Sequence, residues 1–110
     1  LALNDMPRAV LSARAALRLD RRCLDALQVL GYALLRDGQL TTALGVLRQA
    51  VCWYPDNATL RYLMGRTYAR MGDGAEAARC YAAALEADPD NRVAQHLAGA
   101  TGAGTKTQVD

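Results

Sequence analysis

The chain has 110 residues, with 52% hydrophobic and 22% charged residues and a formal net charge of +2. That composition excludes a disordered chain, and the charge is too small to indicate nucleic acid or an acidic membrane as the partner. Aromatic residues make up only 5% and Phe is absent, so the core is built from Ala, Leu, Val and Tyr, a mixture that favours helices.

Pro7 to Leu19 reads as the first helix, with Pro7 in its first turn. Leu24, Leu27, Leu30, Leu34 and Leu35 then recur at three and four residues, the mark of one helix face. Asp37-Gly38 interrupts the pattern as a left-handed C-terminal cap would. Leu40, Ala43, Leu44, Leu47, Ala50 and Val51 resume it until Tyr54-Pro55-Asp56-Asn57, where Pro55 stops the helix and Asp56 or Asn57 can cap the next. A fourth helix is expected from about Ala58 to Arg70, and Met71-Gly72-Asp73-Gly74 forms the next turn. A fifth follows from about Ala75 to Ala87, with Asp73 and Glu76 spaced as a capping box. Asp88-Pro89-Asp90-Asn91 repeats the stop, and a last helix is expected from Arg92 to about Ala100.

These elements repeat. Gly31, Gly65 and Gly99 lie 34 residues apart, as do Ala9, Ala43 and Ala77, and Ala16, Ala50 and Ala84. Gly38 and Gly72 share the spacing, and so do Pro55 and Pro89. Leu17, Val51 and Leu85 follow it too, and six registers on one period define a repeat of paired helices. The small residues at Gly31 and Gly65 are expected to face Ala43 and Ala77 and let the two axes approach.

With these residues in place, the chain resembles the tetratricopeptide repeat family, whose pattern runs W-x2-L-G-x2-Y, then A-x3-F, then P. Leu30-Gly31-x2-Leu34, Ala43-x3-Leu47 and Pro55 carry it in one unit, and Met64-Gly65-x2-Tyr68, Ala77-x3-Tyr81 and Pro89 in the next. The family's Trp position holds Leu27 and Arg61, and the Arg61 stem is expected to lie along apolar surface with its head in water. The resemblance implies an all-α fold, an α-solenoid of stacked antiparallel helix pairs wound into a right-handed superhelix. The division expected is 1–23 as the second helix of a truncated unit, 24–57 and 58–91 as whole units, 92–100 as the first helix of a partial unit, and 101–110 as a flexible tail.

In the family the first helix of each unit lines the concave face. Carried onto this chain, that face holds Asp25, Gln28, Val29, Tyr32, Leu35 and Arg36, then Thr59, Tyr62, Leu63, Arg66 and Arg70, then Val93, His96 and Leu97. The residues expected to contact a partner are Gln28, Tyr32, Leu35, Arg36, Thr59, Tyr62, Arg66, Arg70 and His96, while Val29 and Leu63 are equally suited to core packing. Tyr and Arg are favoured in interface hot spots. The implied partner is a protein or peptide segment with apolar anchors and acidic residues, with no nucleic acid and no membrane span. Some members grip a C-terminal carboxylate through Lys and Asn, but the corresponding positions here hold Gln28, Tyr32, Tyr62, Leu63 and Arg66, which argues against that use.

Nothing points to catalysis. The run from Gly99 to Thr107 approaches a phosphate-binding loop, yet Thr105 separates Gly104 from Lys106 and a helix rather than a strand precedes it. His96 has no partner for a triad or a metal site, and the aspartates fall at turns, where capping explains them. No metal or cofactor is expected. Three cysteines, Cys23, Cys52 and Cys80, form neither a disulfide framework nor a zinc motif and suit a reducing, cytoplasmic setting. Trp53 is expected to pack at a turn, and Arg21-Arg22 is too short for a nucleic-acid patch.

The function expected is a non-enzymatic interaction module: a scaffold, adaptor or assembly chaperone. The alternatives are a repeat region appended to a larger bacterial enzyme, such as a methyltransferase or glycosyltransferase, and a secretion-system or pilus-assembly chaperone. The half units at each end are expected to expose apolar surface and to promote self-association.

Overall fold

The computed structural model describes residues 6–90, and every element among them is helical. The chain divides into two units at Pro55 and Asp56. In unit one, α1 spans Met6–Leu19, α2 spans Leu24–Arg36 and α3 spans Leu40–Trp53; unit two holds α4, Ala58–Arg70, and α5, Gly74–Ala87. The expected helix 92–100 and the tail 101–110 lie outside the described residues.

In unit one α2 packs against both α1 and α3, and in unit two α4 packs against α5. The reason is the apolar stripe on each first helix. Leu27, Leu30, Ala33, Leu34 and Leu35 of α2 are no more than 4% exposed, as are Leu60 and Leu63 of α4. The second helices answer with Ala43, Leu47 and Ala50 on α3 and Ala77, Tyr81 and Ala84 on α5, none above 1%. Fully burying one of the large side chains stabilises the fold by about 1.5–3 kcal/mol, so these stripes hold each pair together.

The turns between paired helices are set by backbone chemistry. Gly38 and Gly72 adopt φ of 84° and 88°, a conformation that costs a side-chain-bearing residue about 1–2 kcal/mol. At the first turn the Gly38 amide donates to the Leu35 carbonyl at 3.1 Å and the Gln39 amide to Leu34 at 2.9 Å. At the second the Gly72 amide donates to Ala69 at 3.1 Å and the Asp73 amide to Tyr68 at 2.9 Å. This is the Schellman arrangement, and it satisfies carbonyls that the helix end would otherwise leave without donors.

The N-termini are less uniform. Asn57 caps α4, its Oδ1 accepting from the Leu60 amide at 2.9 Å. Asp73 caps α5, accepting from the Glu76 amide at 3.2 Å. The Glu76 side chain does not complete the reciprocal half of the box but pairs with Arg79 at 3.0 Å. Cys23 and Gln39, one repeat earlier, make no side-chain cap. The one buried polar side chain among the described residues, Thr67, donates to the Leu63 carbonyl at 2.9 Å and so is not left unsatisfied.

The close approach of the helices in each pair is made by glycine, but not against the expected partner. A Cβ on Gly31 would come 2.5 Å from Leu47 Cδ2, and one on Gly65 would press into the Tyr81 ring. The first helix therefore leans on the residue one turn beyond Ala43 or Ala77.

Candidate functional site

The open faces of the two first helices are built on these packed stripes. On α2, Gln28 and Tyr32 are half-buried and Arg36 is exposed, following one another at one-turn spacing. On α4, Thr59 and Arg70 are exposed, while Tyr62 and Arg66 are half-buried. Leu35 corrects the expectation: it is 0% exposed and belongs to the core of unit one, because it continues the Leu27–Leu34 stripe toward the covered side. Leu63 is likewise core at 4%, whereas Val29 is half-buried. His96, Val93 and Leu97 lie outside the described residues.

Each first helix pairs a tyrosine with an arginine one turn on. The Arg36 guanidinium carbon is 5.8 Å from the centre of the Tyr32 ring, and Arg36 Nη1 donates to the Tyr32 hydroxyl at 3.3 Å. The Arg66 guanidinium carbon is 5.9 Å from the Tyr62 ring centre. Both are within the range of cation–π attraction, about 0.5–1 kcal/mol where exposed. The two pairs do not share a register, for Tyr32 and Arg66 occupy the same place in successive repeats. The sequence contained the signal in the four-residue spacing, but the pairing was not anticipated.

In unit two the pair is anchored from beneath. Tyr62 meets Tyr81 with ring centres 6.2 Å apart and planes tilted by 37°, a geometry aromatic pairs favour. Burial pushes the Tyr81 phenol above its ordinary value, and Tyr62 adds to this while Arg66 opposes it. Beside it on α5, burial and then Glu76 push the Cys80 thiol up, with Arg61 and Arg79 opposing, which keeps it in the unreactive thiol form. Arg61 is half-buried.

A second aromatic centre sits at the other end of unit one. The Arg22 and Arg21 guanidinium carbons lie 5.1 and 6.0 Å from the Trp53 ring centre, and the Tyr54 hydroxyl donates to the Arg22 carbonyl. These contacts tie the α1–α2 turn to the end of α3, so Trp53 packs at a turn and Arg21 and Arg22 are engaged with it. On α1, Leu11 is 70% and Leu19 92% exposed, and a mainly apolar groove lined by Ala9, Ser12, Ala13, Ala16, Cys23, Asp25, Ala26 and Val29 opens beside α2.

All three cysteines are free. Among the described residues no three His, Cys, Asp or Glu side chains group as a metal site would need, and no helix is long and apolar enough to cross a membrane.

Solved structures of similar fold include residues 41 to the end of MamA from Desulfovibrio magneticus RS-1, with a TM-score of 0.81 and 26% identity over 94% of this chain and 58% of that one. A MamA RS-1 ArsTM double mutant matches with a TM-score of 0.81 and 26% identity over 96% of this chain and 59% of that one. A further MamA crystal structure, at 0.78 and 23% over 87% of this chain and 56% of that one, shows likeness of fold alone. The chain thus spans less than three fifths of the length of each. No curated protein sequence matches it. Two tetratricopeptide repeat families match the sequence, one over residues 1–58 and the other over residues 34–100. With its helix pairs, turn glycines and 34-residue period, the chain belongs to the tetratricopeptide repeat family.

Proposed function

We propose that the chain is a non-enzymatic protein–protein interaction module, a scaffold, adaptor or assembly chaperone, which takes a polypeptide segment against the first-helix faces of its repeats. The observation that carries this reading is the presence of a Tyr–Arg pair at one-turn spacing on α2 and again on α4, each tyrosine half-buried rather than in the core. Tyr and Arg dominate interface hot spots because each combines a large contact area with directional polar groups. The contact residues are Gln28, Tyr32 and Arg36 from unit one and Thr59, Tyr62, Arg66 and Arg70 from unit two, with His96 added by the repeat register. The family's common use as an interaction module supports the reading. Three free thiols favour a reducing compartment such as the cytoplasm.

The test is partner binding by the Tyr62→Ala/Arg66→Ala and Tyr32→Ala/Arg36→Ala variants, with helix content checked by circular dichroism. Each is expected to weaken binding at least about tenfold, as the loss of one hot spot does. A control pair on the outer side of the second helices, Gln49→Ala/Arg79→Ala, is expected to leave affinity unchanged. Wild-type affinity in both first-helix variants, with the fold intact, rules this reading out.

A further inference from the structure

We propose that Arg66 is the receptor for a carboxylate side chain, Asp or Glu, of the bound polypeptide, and that the aromatic column beneath it holds the guanidinium ready. This rests on the first-helix binding reading given above and names the chemistry of its central contact.

The column begins in the core. Tyr81 is 1% exposed and fills the space left open by the missing side chain of Gly65. Tyr62 tilts against Tyr81, and the Arg66 guanidinium lies over the Tyr62 ring. Each member limits the freedom of the next. A guanidinium drawn toward a ring samples fewer conformations and keeps the edge N–H donors that form two parallel hydrogen bonds with a carboxylate. Less side-chain entropy then remains to be lost when a partner binds.

The Arg66 charge has no carboxylate partner on its own helix. α4 carries Arg61, Arg66 and Arg70 and no acidic residue. Among the described residues Arg66 has no carboxylate partner, whereas Arg79 on the neighbouring helix is paired with Glu76. Arg66 is also half-buried, so a charge brought to it is less screened than at a fully exposed site. Arg36 differs in two respects: it is exposed, and one of its nitrogens is engaged by the Tyr32 hydroxyl.

The probe is a 15-residue helical peptide carrying Leu and Glu at one-turn spacing, compared with versions in which Gln or phosphoserine replaces Glu. Binding is followed by the Nε–Hε resonance of Arg66 and by fluorescence anisotropy. The Glu peptide is expected to shift that resonance and to bind about fivefold or more tightly than the Gln peptide, a margin fitting a partly screened ion pair. Arg66→Lys is expected to lose the preference, and Tyr62→Phe, which retains the ring, to keep it. Tyr62→Leu, which fills the site without a ring, is expected to lose it. Equal binding of Glu and Gln peptides, with both moving the Arg66 resonance, overturns the carboxylate assignment while the binding surface stands. Preference for the phosphoserine peptide also overturns it. Failure of all three peptides to bind overturns both readings.

Discussion

The Tyr81 ring occupies the place where a side chain on Gly65 would begin: a Cβ there would lie 2.6 Å from Tyr81 Cδ1, well inside contact distance. One repeat earlier, Gly31 stands to Leu47 in the same relation, at 2.5 Å from Cδ2. The two differ in what can yield. Both neighbours are buried, but at Gly31 only the branch of a Leu side chain has to turn, whereas at Gly65 the whole Tyr81 ring, packed against Tyr62, has to shift. Gly65→Ala should therefore destabilise the protein by about 1–3 kcal/mol in urea unfolding. Gly31→Ala should cost less than about 1 kcal/mol, since the gain in helix propensity offsets part of the crowding. Adding Tyr81→Leu to Gly65→Ala should recover part of the loss, because Leu is what the other pair uses. Equal costs at the two glycines would contradict this account.

The capping difference between the units predicts a gain. Gln39 makes no side-chain cap at the start of α3, whereas Asp73 caps α5 at the corresponding place. The backbone angles are close, φ −82° and ψ 70° at Gln39 against −99° and 80° at Asp73. Gln39→Asp should raise stability by about 0.5–1 kcal/mol, and Asp73→Ala should lower it by about 1 kcal/mol. Thermal melts of the two variants beside wild type give both signs in one experiment.

The buried Tyr81 phenol sets an alkaline limit. Because its value is raised in the folded state, the native protein holds that proton more tightly than the unfolded chain does. The stability this confers is complete below the ordinary tyrosine value of about 10 and disappears as pH climbs through the raised folded value. Denaturant midpoints measured from pH 8 to 11.5 should fall more steeply for wild type than for Tyr81→Phe above about pH 10. Parallel profiles would show that Tyr81 is not the group responsible.

At the far end of unit one, the hydroxyl of Tyr54 ties α3 to the Arg22 carbonyl, while Arg22 lies over Trp53. Tyr54→Phe should cost about 0.5–1.5 kcal/mol, the net value of one hydrogen bond. Arg22→Gln should cost no more than about 1 kcal/mol, the worth of an exposed cation–π contact. Trp53 is the chain's single tryptophan, so its fluorescence reports both changes directly.

The helix bounds were legible from the sequence because turn chemistry and apolar spacing point the same way. Gly38 and Gly72 mark the C-caps, Asn57 and Asp73 mark the N-caps, and α4 begins and ends where the pattern does. What periodicity could not reveal was the offset between helices. It shows that Gly31 and Gly65 face a neighbour, but whether that neighbour is Ala43 or Leu47 depends on how far one helix slides along the other. Leu35 was misplaced for a related reason. The core stripe on α2 is broad enough to include it, and that breadth is set by having neighbours on two sides, α1 and α3. The Tyr–Arg pairs were written in the four-residue spacing, yet a spacing alone does not say whether a guanidinium turns to its ring or to water.

The central claim is that a polypeptide is held at the first-helix faces. Its most direct measurement is site-specific photo-crosslinking in the cell of origin, with a benzophenone amino acid placed singly at Thr59, Arg70, Gln49 and Arg79. The account predicts discrete protein adducts from Thr59 and Arg70 on α4 and none from Gln49 on α3 or Arg79 on α5. Adducts from Gln49 and Arg79 with none from the α4 positions would contradict it.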